Sequence, residues 1–148
     1  MQVSLEVNLG SYVIRAYEPG QITINLPAGM VAPPAKNDAA HDIFEEPGSR
    51  REILRNSLII SPVQLIRDWP PQTFEELNRE HFDRLSELEP EIVLFGSGET
   101  LRWPDPALLS SLIDNGIGVE VMDTAAACRT YNILTADGRN FAAALLVK

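Results

Sequence analysis

The stretch from Glu91 to Met122 constrains the fold of this chain more than any other. Glu91–Phe95 is a short, almost wholly apolar run, the pattern of a strand buried on both faces. Gly96-Ser97-Gly98 follows it. Asp105-Pro106 then reads as a helix start, with Asp at the N-cap and Pro at the first helical position. Leu108, Leu109, Leu112 and Ile113 form a buried stripe, and Gly116 stands where a left-handed C-cap is needed. Ile117–Met122 is the next strand. Strand, helix and strand in this order imply a right-handed crossover, so the two strands are expected side by side and parallel in an α/β fold.

Other elements fall around this unit. Asp123-Thr124 caps an Ala-rich helix running to about Ala136, and Asp137-Gly138 turns the chain into a last strand, Asn140–Val147. Tyr12–Tyr17 and Gln21–Leu26 read as strands joined by Pro19-Gly20, type II turn chemistry. Ser4–Leu9 reads as a further edge strand. Leu26–Arg55 shows no period of 2 or 3.6 and carries Pro27, Gly29, Pro33, Pro34, Pro47 and Gly48. It is expected to be a long loop or insertion over 26–55, with a short helix near Glu52 and the first tryptic cuts near Lys36 or Arg50-Arg51. Ser57–Ser61 and Val63–Arg67, parted by Pro62, read as one bent strand or two short ones. Thr73-Phe74-Glu75-Glu76 is a capping-box sequence. The helix after it places Phe74, Leu77, His81, Leu85 and Leu88 on one face, with a break near Asn78. The 148 residues, 45% hydrophobic and 22% charged, suit one domain spanning 1–148.

Charge and composition exclude several functions. There are 21 acidic against 12 basic residues, for a net charge of −9. Nucleic-acid phosphates reward clustered Lys and Arg, and the densest basic site, Arg50, Arg51 and Arg55, is diluted by Glu45, Glu46 and Glu52. Anionic membrane surfaces are disfavoured for the same reason. One cysteine rules out an intramolecular disulfide and a Cys-rich zinc site. No apolar run reaches the length of a membrane span, and the N-terminus lacks the pattern of a secretory signal. A bacterial cytoplasm is the expected compartment.

The candidate site is a crevice formed by Gly96, Ser97 and Gly98 with Asp123, Thr124, Arg129 and Asn132. Gly96–Gly98 follows a buried strand, and ligands of open α/β sheets bind outside such carboxyl ends. The motif does not extend to a dinucleotide fingerprint, because Leu101 stands where the third Gly belongs. It is neither a P-loop nor a nucleophile elbow. A tight turn that needs small residues explains it more simply. Asp123 at a helix start is more often a cap than a catalytic carboxylate, while Arg129 and Asn132, three apart, share a helix face. Cys128 near a helix N-terminus beside Arg129 has the setting of a reactive thiolate. No base is placed to activate it, since only His41 and His81 exist, and a buried neutral thiol is the commoner outcome. Glu45-Glu46 and Glu87, Glu89 and Glu91 read as solvated charges. Trp69 and Trp103, each beside Pro, read as packing residues. No metal-ligand spacing and no cofactor motif is present.

Pro90–Gly98, Asn115–Thr124, Ala126–Leu134 and the run Gly138-Arg139 to Ala143–Leu146, with Ser57–Pro62 and Trp69 upstream, carry a family resemblance. Together they resemble the small family of unknown function that includes the mitochondrial complex I (NADH:ubiquinone oxidoreductase) assembly factor three. The resemblance covers nearly all of Tyr12–Val147, and Leu26–Arg55 departs from it. It implies a compact three-layer β/β/α domain with a mixed sheet and helices on one side. It also implies a non-enzymatic role in binding a protein partner, with no catalytic residues to carry over. The alternative left open by the residues is a small-ligand-binding protein or enzyme using the Gly96–Gly98 and Asp123–Asn132 crevice.

Overall fold

The computed structural model describes residues 10–27, 41–46 and 49–148. These form two sheets. The first is antiparallel, built from β1 (Val13–Glu18), β2 (Gln21–Asn25), β3 (His41–Glu46) and β4 (Ser49–Leu54) in the order β1-β2-β4-β3. The second is mixed. It contains β5 (Leu58–Ile60), β6 (Leu65–Ile66), β7 (Ile92–Gly96), β8 (Gly118–Met122) and β9 (Phe141–Leu145) in the order β6-β5-β9-β7-β8. As the strand–helix–strand pattern requires, β7 and β8 are parallel neighbours. On its other side β7 pairs in parallel with β9, the central strand, whose five residues are all buried.

Three helices complete the layers: α1 (Arg79–Ser86), α2 (Ser110–Asp114) and α3 (Thr124–Ala136). Single 3-10 turns, Phe74–Glu76 and Pro106–Leu109, precede α1 and α2. The expected α/β fold with a mixed sheet is adopted, but the helices do not all lie on one side: α1 and α2 cover one face of the mixed sheet and α3 the other. Alternation along β7 divides the core. Val93 and Phe95 face α1, α2 and the Trp69–Phe82 aromatic cluster. Leu94 faces Ile14, Ile22, Ile24 and Leu54 of the first sheet, together with Ala127, Cys128 and Tyr131 of α3. Thus α3 lies beside the first sheet, on the face of the mixed sheet opposite α1 and α2.

Local signals place the ends of these elements. Gly20 (φ +93°) makes the turn between β1 and β2, and Gly116 (φ +72°) ends α2. Asn78 caps α1, accepting from the His81 N–H at 3.0 Å while His81 Nδ1 accepts from the Asn78 N–H at 3.1 Å. The break at Asn78 resets the helical phase, so Phe82 joins Leu85 as a fully buried residue of α1. The expected stripe omitted Phe82, and His81 is only half-buried. At the preceding turn the expected Thr73–Glu76 capping box forms, the Glu76 carboxylate accepting from the Thr73 N–H at 2.9 Å and from the Thr73 hydroxyl at 3.0 Å.

The reading of 26–55 as loop is corrected for its second half. Residues 41–46 and 49–54 are the β3–β4 hairpin, with β4 paired on both sides. No helix forms near Glu52; it is a strand residue, 1% exposed, held by Nε and Nη2 of the Arg67 guanidinium at 2.7 and 2.6 Å. This two-point pair ties the first sheet to the segment after β6 and satisfies a carboxylate that burial would otherwise penalise. Ser4–Leu9 and Lys36 lie outside the described residues. Ser57–Arg67 resolves into the two short strands β5 and β6, paired antiparallel.

Candidate functional site

The expected crevice residues divide between two places on either side of the start of α3. At the carboxyl ends of β7 and β8, Gly96, Ser97, Gly98 and Thr124 form a closed hydrogen-bonded node. The buried Thr124 hydroxyl accepts from the Gly98 N–H at 2.9 Å and donates to the Leu146 carbonyl at 2.7 Å. The Thr124 N–H returns to the Gly98 carbonyl at 2.9 Å. Ser97, also buried, accepts from the Arg102 N–H at 3.0 Å and donates to the Thr100 carbonyl at 2.7 Å. Small residues are needed here. A Cβ on Gly96 would stand 2.9 Å from both the Thr124 hydroxyl and a Leu145 methyl, and Gly98 holds φ +102°. Asp123 caps α3, accepting from the Ala126 N–H at 2.8 Å.

The second place is a cleft of about 180 Å³ between β1 and α3. Ile14 to Tyr17 form one wall; Ala125, Cys128, Arg129 and Asn132 form the other. Arg129 and Asn132 therefore share a site with β1, where sequence reasoning had joined them to Gly96–Gly98. Asn132 also has a structural task. Its side-chain amide accepts from the Ile14 N–H at 3.1 Å and donates to the Ile14 carbonyl at 2.6 Å, closing part of the open edge of β1. One residue earlier, the Tyr131 hydroxyl donates to the Tyr12 carbonyl at 2.7 Å. These contacts span more than a hundred residues, so no local signal announces them. Arg15 and Tyr17 escaped sequence reasoning because only the docking of α3 against β1 makes them site residues.

Cys128 is buried in the core at the base of this cleft. Burial pushes its thiol up to about 12, against a smaller downward pull from Arg129. The thiolate that nucleophilic chemistry requires is thus suppressed at neutral pH. Tyr17 is raised as well, by burial first and then by the negative charges of Glu99 and Asp123. Trp69 is a core residue, packed edge-on against Phe82 and Phe95. Trp103 is not; it is 68% exposed on the loop after Gly98. Among the described residues no group of His, Cys, Asp and Glu is arranged to hold a metal ion, and no helix is long and apolar enough to cross a membrane.

Comparison with known proteins bears on the fold and the family. A Bordetella parapertussis protein of known crystal structure superposes with a TM-score of 0.70 at 27% identity, covering 94% of this chain and 98% of that one. The NADH dehydrogenase [ubiquinone] 1 alpha subcomplex assembly factor 3 of Xenopus tropicalis is 31% identical over 118 residues, which is 75% of this chain but only 64% of the relative. The 13 kDa major membrane protein of Francisella tularensis is 30% identical over 84 residues, 56% of this chain and 68% of that protein. The match to the family described as "protein of unknown function (DUF498/DUF598)" runs from residue 14 to residue 146, and the chain belongs to that family.

Proposed function

We propose that this chain is a non-enzymatic protein-binding module of the assembly type, acting in the cytoplasm. Its similarity to relatives named as complex I assembly factors supports an assembly role. The observation that carries the reading is the loop between Gly98 and Asp105. It holds Leu101 and Trp103 in solvent, at 53% and 68% exposure. The loop is firmly braced. Ser97 holds the backbone of Thr100 and Arg102, and the Arg102 guanidinium lies 4.1 Å over the Phe74 ring and 2.7 Å from Glu75. Pro104 is buried, and Asp105 caps the turn that leads into α2. An exposed Trp on a braced loop is a preorganised anchor, because little loop entropy remains to be lost on binding.

The test is affinity capture of the full chain from lysate of its own source cell, followed by quantification of what co-purifies. A partner at near-stoichiometric yield is expected, reduced at least tenfold by Trp103→Ala and retained by Val63→Ala, an apolar residue elsewhere that is exposed even more than Trp103. Capture indifferent to Trp103 would overturn this surface, and absence of any stoichiometric protein would overturn the assembly reading. The second reading, ligand binding, draws on the cleft that Arg129 and Asn132 line.

A further inference from the structure

We propose that the cleft between β1 and α3 is a binding site for an aliphatic monocarboxylate, held by Arg15 and Arg129 with its short apolar stem on Ile14, Ala16 and Ala125. The site is distinct from the Trp103 surface, and its failure or success leaves that reading untouched.

Charge is the first argument. Each wall contributes one arginine, Arg15 from β1 and Arg129 from α3. Neither makes a hydrogen bond or ion pair with any described residue. In a chain with 21 acidic residues and 12 basic ones, two exposed, unpaired arginines on opposite walls of one small cleft place two positive charges where one bound anion can meet both. Guanidinium groups also match the planar, two-oxygen geometry of a carboxylate.

A second, independent observation is the Tyr17 hydroxyl. It lies at the same cleft, buried, and has no hydrogen-bond partner among the described residues. A buried unmet hydroxyl is costly, and a rotation of the Tyr17 ring toward the cleft would let a carboxylate oxygen accept from it. Asn132 does not compete for the anion, because its amide is committed to Ile14.

Size and surroundings narrow the ligand class. The cleft of about 180 Å³ is smaller than the roughly 300–1,000 Å³ of sites for drug-sized ligands and cofactors. It suits a head group with a stem of a few carbons. Glu99 and Asp123 carry negative charge near Tyr17, which opposes a dianion such as phosphate more than a monoanion. The neutral thiol of Cys128 and the methyl groups of the walls receive the stem. Such a carboxylate has two sources: a free short-chain acid, or an acidic side chain of a protein partner.

Titration of the 15N-labelled full chain, followed by 1H–15N correlation spectra, tests the site. Butyrate is expected to shift amides at 14–17 and 125–132 in a saturable way. Butyramide, of the same shape without charge, should bind at least tenfold more weakly, and so should inorganic phosphate. The double variant Arg15→Gln/Arg129→Gln, checked for an otherwise unchanged spectrum, should lose at least tenfold for butyrate. A peptide with one glutamate among alanines, compared with its glutamine counterpart, separates the sources. Tighter binding of the glutamate peptide than of butyrate assigns the carboxylate to a protein partner, and the reverse assigns it to a free acid. The proposal is overturned if neither butyrate nor the peptide gives saturable shifts at these amides. It is equally overturned if butyramide or phosphate matches butyrate, or if the folded double variant binds as well as the parent.

Discussion

The node at the ends of β7 and β8 and the cleft between β1 and α3 flank the same helix, yet they treat their polar groups in opposite ways. At the node, the Gly98 N–H, the Leu146 carbonyl and the Thr124 hydroxyl satisfy one another within the protein, and Ser97 holds the following loop. At the cleft, two guanidinium groups and a tyrosine hydroxyl have no protein partner among the described residues. The carboxyl end of a parallel strand is the usual place to seek a ligand. Here its donors and acceptors are occupied by the fold itself, whereas uncommitted groups gather one helix face away. Unmet polarity therefore distinguishes the two places better than topology does.

Stability measurements can break this contrast. Thr124→Val keeps the shape but orphans the buried Gly98 N–H and Leu146 carbonyl. At about 1–3 kcal/mol per buried unsatisfied group, urea denaturation should show a loss of about 3 kcal/mol. A loss under about 0.5 kcal/mol, the range of an ordinary surface substitution, would mean that the node is not a structural unit. Asn132→Ala removes two hydrogen bonds from the edge of β1, which solvent then partly replaces. The expected cost is about 1–2 kcal/mol, and an unchanged urea midpoint would return Asn132 to the cleft as a binding residue alone.

Cys128 sharpens the comparison at the border of cleft and core. Cys128→Ala should cost about 1 kcal/mol, the value of one small buried group. With the native thiol pushed up to about 12 by burial, iodoacetamide at pH 8 should label the native chain far more slowly than the urea-unfolded chain. Equal rates would contradict the burial. The sign for stability follows. The folded value lies above the ordinary value of 9.0, so this group's contribution is intact below about pH 9 and declines as pH rises from there toward 12. The smallest effect belongs to the cleft arginines. Arg15→Gln and Arg129→Gln should each leave stability within about 0.5 kcal/mol of the parent, since both are exposed and neither removes a hydrogen bond or ion pair among the described residues. A thermal-melt loss well beyond that would show that these charges serve the fold.

How much of this was legible in the sequence depended on distance along the chain. The Pro19-Gly20 turn, the Asp105 and Asp123 caps, the Asn78 break and the left-handed Gly116 were legible because each depends on neighbours within a few residues. The buried β7 and its parallel partner β8 followed from apolar runs set either side of a helix. Phe82 was missed because a helical stripe was continued through Asn78, where the chain restarts its phase. The β3–β4 hairpin was missed because β4 (Ser49–Leu54) mixes charges with apolar residues. Glu52 looks like a surface charge until Arg67 is brought to it.

The sequence by itself determined the element order, most element ends, the α/β class and the family. Those rest on local backbone preference, hydrophobic period and motif order, all of which are written along the chain. Only the tertiary structure decided that Thr124 closes the strand ends, that Asn132 and Tyr131 hold β1, and that Arg15, Tyr17 and Arg129 meet across one cleft. Each of these depends on side chains more than twenty residues apart, and no local propensity encodes which distant backbone group or charge will arrive beside them.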